Sequence, residues 1–221
     1  MASYKDLCLD ATDARRIGEF WATALGQELH VLENGNAVVR GPRLAPLWIN
    51  AVAEPKSVKN RVHFDLYTRS PSVLLDLGAT VLGEQETFTA LRDPEGNELC
   101  AFPKSDVDDV PARPFALCVD SDRPQELAAW WQGVFGGRVG PGPDGMPRYL
   151  HDASGLGALI MKFVPVHDER AAKNRCHWDV TTDDLGALTA AGATVVRRRD
   201  DEIRWTVLAD PQGNEFCAFS G

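Results

Sequence analysis

The sequence predicts an α+β protein made of four βαβββ modules, which curl together in pairs into two eight-stranded, cup-shaped half barrels. Two observations support this prediction. The chain of 221 residues repeats itself once, and each copy reads twice as a strand, a helix and three further strands. A helix that leads into a mostly antiparallel sheet is typical of the α+β class, in which helices cover one face of the sheet.

Four sequence blocks recur in the same order in the two halves of the chain, which indicates a duplicated structural unit. LCLDATDARRIGEFWATALG returns as LCVDSDRPQELAAWWQGVFG, and KNRVHFDLYT returns as KNRCHWDVTT. LGATVL returns as AGATVV, and LRDPEGNELCAF returns as LADPQGNEFCAF, all at offsets of 110 to 117 residues. We therefore predict two domains at 1–104 and 113–221, joined by the acidic, proline-containing linker 105–112.

A helix is expected after the first strand of each copy. From Asp13 onward, apolar residues recur at the spacing of a helix that packs on a sheet, and Gly26 suits a left-handed helix cap. The second copy repeats the stripe, with Pro124 near the first helical turn, where proline is tolerated. The stripe consists of Ile17, Phe20, Trp21, Ala24 and Leu25 in the first copy, and of Leu127, Trp130, Trp131, Val134 and Phe135 in the second.

Three strands complete each module, and a shorter helix in the second module is expected to end at Gly78. The turn DPEGN separates the last two strands of the copy, because its proline fixes one φ and its glycine accepts a positive φ. In the first copy these strands are expected near 28–33, 36–41, 46–52, 61–67, 79–83, 87–92 and 97–102.

Composition and charge exclude several classes of function. The formal net charge is -9, whereas nucleic-acid binding depends on clustered Lys and Arg. No apolar run approaches the roughly 20 residues of a membrane helix, and the beginning of the chain does not resemble a secretory signal. We therefore expect a cytoplasmic monomer or homodimer whose partner is a small-molecule ligand, with no nucleic-acid or membrane partner.

Strand alternation separates the side chains that face a cup from those that pack under the helices. In the strand that opens the second module, Val62 and Phe64 are apolar and are expected to pack, so His63 and Asp65 face the cup. The same alternation places His177 and Asp179 on the cup face in the second copy, and Asp6, Cys8 and Asp10 on the cup face of the first strand.

Two pairings of the modules are open at this stage: each copy closes its own cup, or the modules trade partners. If each copy closes its own cup, several carboxylates meet one His and one Cys. Buried carboxylates are costly unless they are paired, hydrogen-bonded or bound to a metal, so such a cluster needs an explanation. The cluster expected for this pairing is Asp6, Asp10, His63, Asp65, Glu98 and Cys100.

These motifs resemble the vicinal oxygen chelate superfamily, which includes glyoxalase I, bleomycin-resistance proteins, fosfomycin-resistance enzymes and extradiol dioxygenases. The resemblance rests on FWATALG and WWQGVFGG, on KNRVHFD and KNRCHWD, and on DPEGN and DPQGN, and it covers nearly the whole chain. The combination of KNRxHxD with DPxGNExCAF is similar to a glyoxalase-like domain subgroup. The resemblance implies cups that hold a small ligand and often a divalent metal ion.

In the metal-using relatives, the resemblance implies ligands on the first strand, on the strand opening the second module and on the last strand. These positions hold Asp6, His63 and Cys100 in the first copy, and Ala116, His177 and Cys217 in the second. Two alternatives stay open for the cofactor: no cofactor, or a divalent metal ion on Asp6, His63 and Glu98. Glu98 enters this set because a two-residue offset keeps the same strand face, and Glu215 has the same relation to Cys217.

The first functional hypothesis is an enzyme of the lyase or isomerase type that acts on a small oxygen-bearing molecule through a His–carboxylate site. The alternative is a non-catalytic, drug-binding protein of the bleomycin-resistance type. A third hypothesis is a scaffold domain whose cups are vestigial and whose function lies in oligomer contacts. The candidate catalytic residues are His63, Asp65, Asp6 and Glu98. The candidate ligand-binding residues are Trp48, Cys100, His177, Asp179, Glu215 and Trp205, because concave ligand sites are lined by aromatic rings and a few polar groups.

Overall fold

The computed structural model describes residues 2–107, 109–168 and 170–220. Asp108 of the predicted linker, and the outermost residues of the two predicted domains, lie outside the described residues. Within them the chain folds into four modules, each with the order strand, helix and three strands. The predicted α+β class and the βαβββ modules are therefore confirmed.

The first repeat contains modules 1 and 2. Module 1 consists of β1 (Ser3–Ala11), α1 (Ala14–Leu25), β2 (Glu28–Val31), β3 (Ala37–Gly41) and β4 (Leu44–Ala51). Module 2 consists of β5 (Val62–Thr68), α2 (Ser72–Leu75), β6 (Thr80–Glu84), β7 (Thr89–Arg92) and β8 (Glu98–Pro103).

The second repeat contains modules 3 and 4. Module 3 consists of β9 (Ala112–Ser121), α3 (Pro124–Phe135), β10 (Arg138–Pro141), β11 (Pro147–His151) and β12 (Ile160–Pro165). Module 4 consists of β13 (Cys176–Thr181), α4 (Leu185–Ala190), β14 (Thr194–Arg197), β15 (Thr206–Ala209) and β16 (Glu215–Phe219).

The ends of α1 follow the predicted local chemistry. The carboxylate of Asp13 accepts a hydrogen bond from the backbone N–H of Arg16 at 3.0 Å, which satisfies one of the free N–H groups of the first turn. Gly26 ends the helix in the left-handed region at φ 60°, as predicted from its lack of a side chain.

The modules trade partners between the two repeats. Modules 1 and 4 form one eight-stranded sheet in the order β14-β15-β16-β13-β1-β4-β3-β2, here called the terminal cup. Modules 2 and 3 form the other in the order β10-β11-β12-β9-β5-β8-β7-β6, here called the central cup. The pairing in which each copy closes its own cup is wrong, and every cup contains one module from each repeat.

One continuous hydrophobic core lies between the two sheets and includes α1 and α3. Trp21 of α1 packs against Phe64 of the central cup, with ring centroids 5.8 Å apart. Trp131 of α3 packs against Trp178 of the terminal cup at 4.9 Å. Each long helix therefore contacts the sheet of the other cup. In the described part of the chain, every helix falls short of the length and apolarity that a membrane span requires.

The two DPxGN turns hold α1 and α3 in place through hydrogen bonds to one tryptophan of each helix. The buried carboxylate of Asp93 accepts hydrogen bonds from the Trp21 indole at 3.3 Å and from the Asn97 side chain. Asp210 makes the same contacts with Trp131 and Asn214. The repeated turn motif is thus explained by packing, because it supplies a partner for each buried indole N–H.

Candidate functional site

The floor of the terminal cup is formed by the two central strands of its sheet, β1 and β13. Across this antiparallel pair Cys8 lies opposite His177, and Asp6 lies opposite Asp179. The strands on either side add one residue each, Trp48 of β4 beside Cys8 and Cys217 of β16 beside Asp179.

Asp6 and Asp179 form a buried pair of carboxyl groups at this floor. Lys5 donates a hydrogen bond to Oδ2 of Asp6 at 2.6 Å, and the Trp48 indole donates to the same oxygen at 3.0 Å. Oδ1 of Asp6 and Oδ1 of Asp179 are both buried and have no partner among the described residues. Two ionised carboxylates in this position would leave both oxygens unsatisfied and would repel each other.

A proton on Asp179 resolves this conflict. Burial, the hydrogen bond with Asp6 and the charge of Asp6 raise the pKa of Asp179 to about 8. At neutral pH Asp179 is therefore largely protonated, and the pair shares one proton, as expected for coupled carboxyl groups.

The imidazole and the thiols of the floor are neutral as well. Burial lowers the pKa of His177, although Asp10, Glu215 and Asp6 oppose the shift, so its imidazole is uncharged at neutral pH. Burial and the nearby carboxylates raise the pKa of Cys8 and of Cys217 above the ordinary thiol value, so both are thiols.

A cavity of about 300 Å³ lies above this floor. Its aromatic walls are Trp48 on one side and Trp205 with Phe219 on the other, and the last two rings have centroids 5.3 Å apart. His177 and Asp179 line it, so four of the six predicted ligand-binding residues are found together in the terminal cup. The rim is polar and consists of Asn34, Asn36 and Asn50.

The central cup has an equivalent floor. Cys118 of β9 lies opposite His63, and Asp65 lies beside Cys100 of β8. His63 Nε2 is 3.6 Å from the Cys100 sulfur and 3.7 Å from Oδ1 of Asp65. Burial lowers the pKa of His63, and burial together with Asp65 raises the pKa of Cys100 to about 12.

Two positions distinguish the central cup from the terminal cup. Ala116 stands opposite Asp65, where the terminal cup has Asp6. Lys162 stands beside Cys118, where the terminal cup has Trp48. Nζ of Lys162 donates to Oδ2 of Asp65 at 2.8 Å, and Asp65 raises the pKa of Lys162 although burial opposes the shift.

The predicted set of Asp6, His63 and Glu98 is not assembled. Asp6 belongs to the terminal cup, whereas His63 and Glu98 belong to the central cup. The carboxylate of Glu98 accepts hydrogen bonds from the Lys56 ammonium at 2.8 Å and from the backbone N–H of Asn60 at 3.1 Å. It therefore holds the loop before β5 and does not join the His–Asp pair.

Glu215 has the same structural role in the terminal cup. Its carboxylate accepts from the backbone N–H of Asn174 at 3.2 Å and forms an ion pair with Arg170. Strand parity predicts that both glutamates face the cup. Parity does not reveal that a long side chain at a strand end reaches a neighbouring loop instead.

Sequence reasoning missed Lys5 and Lys162 as parts of the two sites. Lys162 had a recognisable signal, because it is the single charge in the apolar run ALIMKFV. A charged residue in a buried strand needs a partner of opposite charge.

The donor sets of the two cups differ in their fit to the divalent metal that the fold family implies. Cys8, His177 and Asp179 bring a sulfur, a nitrogen and an oxygen within 4.8 Å of one another, and Oδ1 of Asp179 has no protein partner among the described residues. These donor types fit a zinc-type ion once Cys8 and Asp179 release their protons, since Lys5 pairs with Asp6 at 2.6 Å and is 3.8 Å from Asp179. In the central cup the ammonium of Lys162 already neutralises Asp65, so its His63, Asp65 and Cys100 do not fit a dication.

Solved structures share this fold at low sequence identity. Glyoxalase I from Zea mays superposes with a TM-score of 0.66 at 12% identity, covering 100% of this chain and 92% of that chain. A putative dioxygenase from Bacillus subtilis gives 0.57 at 12% identity, covering 99% and 84%. The cppA protein from Streptococcus pneumoniae gives 0.52 at 9% identity, covering 99% and 100%. These similarities show the fold alone. Among curated proteins, none matches this chain.

A family model described as "Glyoxalase-like domain" matches the chain twice, at residues 6–102 and 116–219. These two matches cover most of the chain and coincide with the two sequence repeats. The chain therefore belongs to the glyoxalase-like domain family, as a tandem protein of the vicinal oxygen chelate superfamily.

Proposed function

We propose that the terminal cup is the working site of the protein, and that it binds a small oxygen-bearing organic molecule and moves protons on it. The observation that carries the proposal is the carboxyl pair of Asp6 and Asp179 beneath an aromatic-walled cavity of about 300 Å³. Acid–base catalysis needs groups that hold or release a proton near neutral pH. A shared proton on a buried carboxyl pair meets that requirement.

Two residues that line the cavity can carry out the two steps of a proton shift, which are protonation of an oxygen and removal of a proton from carbon. Protonated Asp179 donates to an oxygen of the bound molecule, and the neutral imidazole of His177 accepts a proton from the adjoining carbon. In an isomerisation, Asp179 then takes the proton of the neighbouring hydroxyl, and His177 returns its proton to the former carbonyl carbon. In a lyase reaction, Asp179 takes its proton back from the enol, and a group on the next carbon leaves with the bonding electron pair and the proton of His177. Asp6 acts through Asp179, because its charge keeps the proton on that carboxyl group.

A zinc ion held by Cys8, His177 and Asp179 would supply Lewis-acid polarisation of the substrate oxygen when bound. It would replace the proton transfers of Asp179 and His177, because groups that ligate a metal ion are deprotonated. The walls of the cavity act independently of it. Trp48 on one side and Trp205 with Phe219 on the other exclude water and orient a planar molecule over the floor.

A second candidate function is sequestration of a small aromatic molecule, because the same rings bind a planar ligand without any chemistry. The carboxyl pair distinguishes the two candidate functions, because sequestration of a ligand does not require a protonated carboxyl group at the floor of the cavity. The decisive experiment therefore has to read binding and proton transfer separately.

Binding is read from tryptophan fluorescence and proton transfer from deuterium exchange into the carbon next to a carbonyl, by NMR in D₂O. Hydroxyacetone and phenacyl alcohol are the probes, each with and without added Zn²⁺, Mn²⁺ or Ni²⁺. We expect exchange with the wild-type chain and a loss of about 100-fold or more in Asp179→Asn and His177→Gln. His63→Gln is the matched control, because it changes the equivalent His of the central cup.

Saturable binding without exchange under any of these conditions would favour sequestration. Equal loss of exchange in His63→Gln, or full exchange in His177→Gln, would contradict the assignment of the site to the terminal cup.

A further inference from the structure

The central cup is filled by one of its own side chains. Nζ of Lys162 is 2.8 Å from the carboxylate of Asp65. The same ammonium lies 4.3 Å from the ring centroid of Phe115, 5.2 Å from Phe102 and 5.5 Å from Tyr149. The Lys162 side chain is 12% exposed and that of Asp65 is 5% exposed.

Two of the three rings around the ammonium, Phe115 and Phe102, pack against each other and against further rings. Tyr67 stacks on Phe115 with centroids 3.9 Å apart and an interplanar angle of 11°. Phe102 meets Phe115 edge-on at 5.2 Å and is itself stacked on Phe88 at 4.9 Å. The aromatic cage is formed by Phe102, Phe115 and Tyr149, and the first two of its faces are held by ring packing that does not involve the lysine.

Most of the cage is specific to the central cup. Phe115 directly precedes Ala116, which is the residue opposite Asp65. The corresponding residue of the terminal cup is Lys5, which directly precedes Asp6. Tyr149 lies beside Lys162 on β11, and the corresponding residue of β3 is Val38. The cage thus accompanies the lysine and is not a general feature of the fold.

A carboxylate with several aromatic faces around one cation is the arrangement by which proteins recognise ammonium ligands. We propose that the central cup is an ammonium site whose resident ligand is the chain's own Lys162, and that it accepts an external primary alkylammonium ion when that side chain is shortened. The assignment is independent of the function proposed for the terminal cup.

The test uses the full chain with Lys162→Ala and n-butylammonium chloride as the probe, followed by thermal unfolding. We expect a lower Tm than in the wild type, and a saturable recovery of about 3 °C or more at ten times the dissociation constant. Sodium chloride at equal concentration controls for ionic strength. If the variant does not fold alone, the yield of refolding from urea with and without butylammonium is the readout.

Two variants keep the experiment specific. Trp48→Ala opens the equivalent position of the terminal cup, and we expect no response to butylammonium there. Lys162→Ala combined with Asp65→Asn removes the carboxylate, and the response should disappear. No saturable shift in Lys162→Ala, an equal shift with sodium chloride, or a response that persists without Asp65 would each overturn the assignment.

Discussion

The terminal and central cups share one floor and neutralise its buried acid in two different ways. In both cups a Cys, a His, an Asp and a second Cys stand at matching register positions. Asp179 of the terminal cup carries a proton, because Asp6 stands opposite and Lys5 pairs mainly with Asp6, at 2.6 Å against 3.8 Å for Asp179. Asp65 of the central cup keeps its charge, because Lys162 donates to it at 2.8 Å.

This difference determines which cup is open. A proton takes up no space, so the terminal cup retains its cavity and a group that exchanges protons with a ligand. A lysine side chain fills the cup and brings a charge that must stay paired. The terminal cup has Trp48 and Asp6 at the positions where the central cup has Lys162 and Ala116. These two differences leave the terminal cup open to a ligand and the central cup occupied by its own lysine.

The largest expected effect comes from replacing the aspartic acid of each cup by asparagine. Asp65→Asn leaves the Lys162 ammonium buried without a counter-charge, which we expect to lower the free energy of unfolding at pH 7 by about 3–5 kcal/mol. Asp179→Asn should cost nothing or stabilise the protein slightly, because the amide N–H₂ replaces the proton that the carboxyl donates to Asp6. Urea unfolding of the two variants measures the difference.

Lys162→Met in the Asp65→Asn background provides the internal control, and we expect it to recover most of the loss. A cost for Asp179→Asn equal to that for Asp65→Asn would remove the distinction between the two cups.

A smaller effect is expected in the pH dependence of stability. The folded-state pKa of Asp179 is about 8, above the ordinary value of 3.8 for an aspartic acid, so the folded state holds this proton more tightly than the unfolded state. The stability linked to this group is therefore fully present below pH 3.8 and is lost as the pH rises towards about 8. Asp179→Asn should flatten this part of the curve, so its advantage over the wild type in Tm grows from pH 4 to pH 8. A constant difference over this range would contradict a shared proton in the terminal cup.

The parts of this structure that follow local rules were predictable from the sequence. The helical period predicted the buried stripe of α1, and the lack of a side chain at Gly26 predicted its left-handed cap. Strand parity predicted that His63 and Asp65 share the cup face. The pairing of modules was not predictable, because KNRVHFD and KNRCHWD offer β1 two almost equivalent partners. That choice is made by long-range packing of α1 and α3 between the sheets, and it decides which residues share a site.

The smallest effect is expected from the histidines, where the two cups should behave alike. Burial lowers the pKa of His63 and of His177 below the ordinary histidine value of 6.5. Each ring therefore gives stability that is present above pH 6.5 and is lost as the pH falls below it. The loss is at most about 1.4 kcal/mol per pH unit for each ring. His63→Gln and His177→Gln should each reduce the acid sensitivity of unfolding between pH 6.5 and pH 5 by a similar amount, measured as the slope of stability against pH. A slope that changes only in His177→Gln would show that the ion pair of the central cup also compensates a charged His63, and the two floors would then differ at a third position.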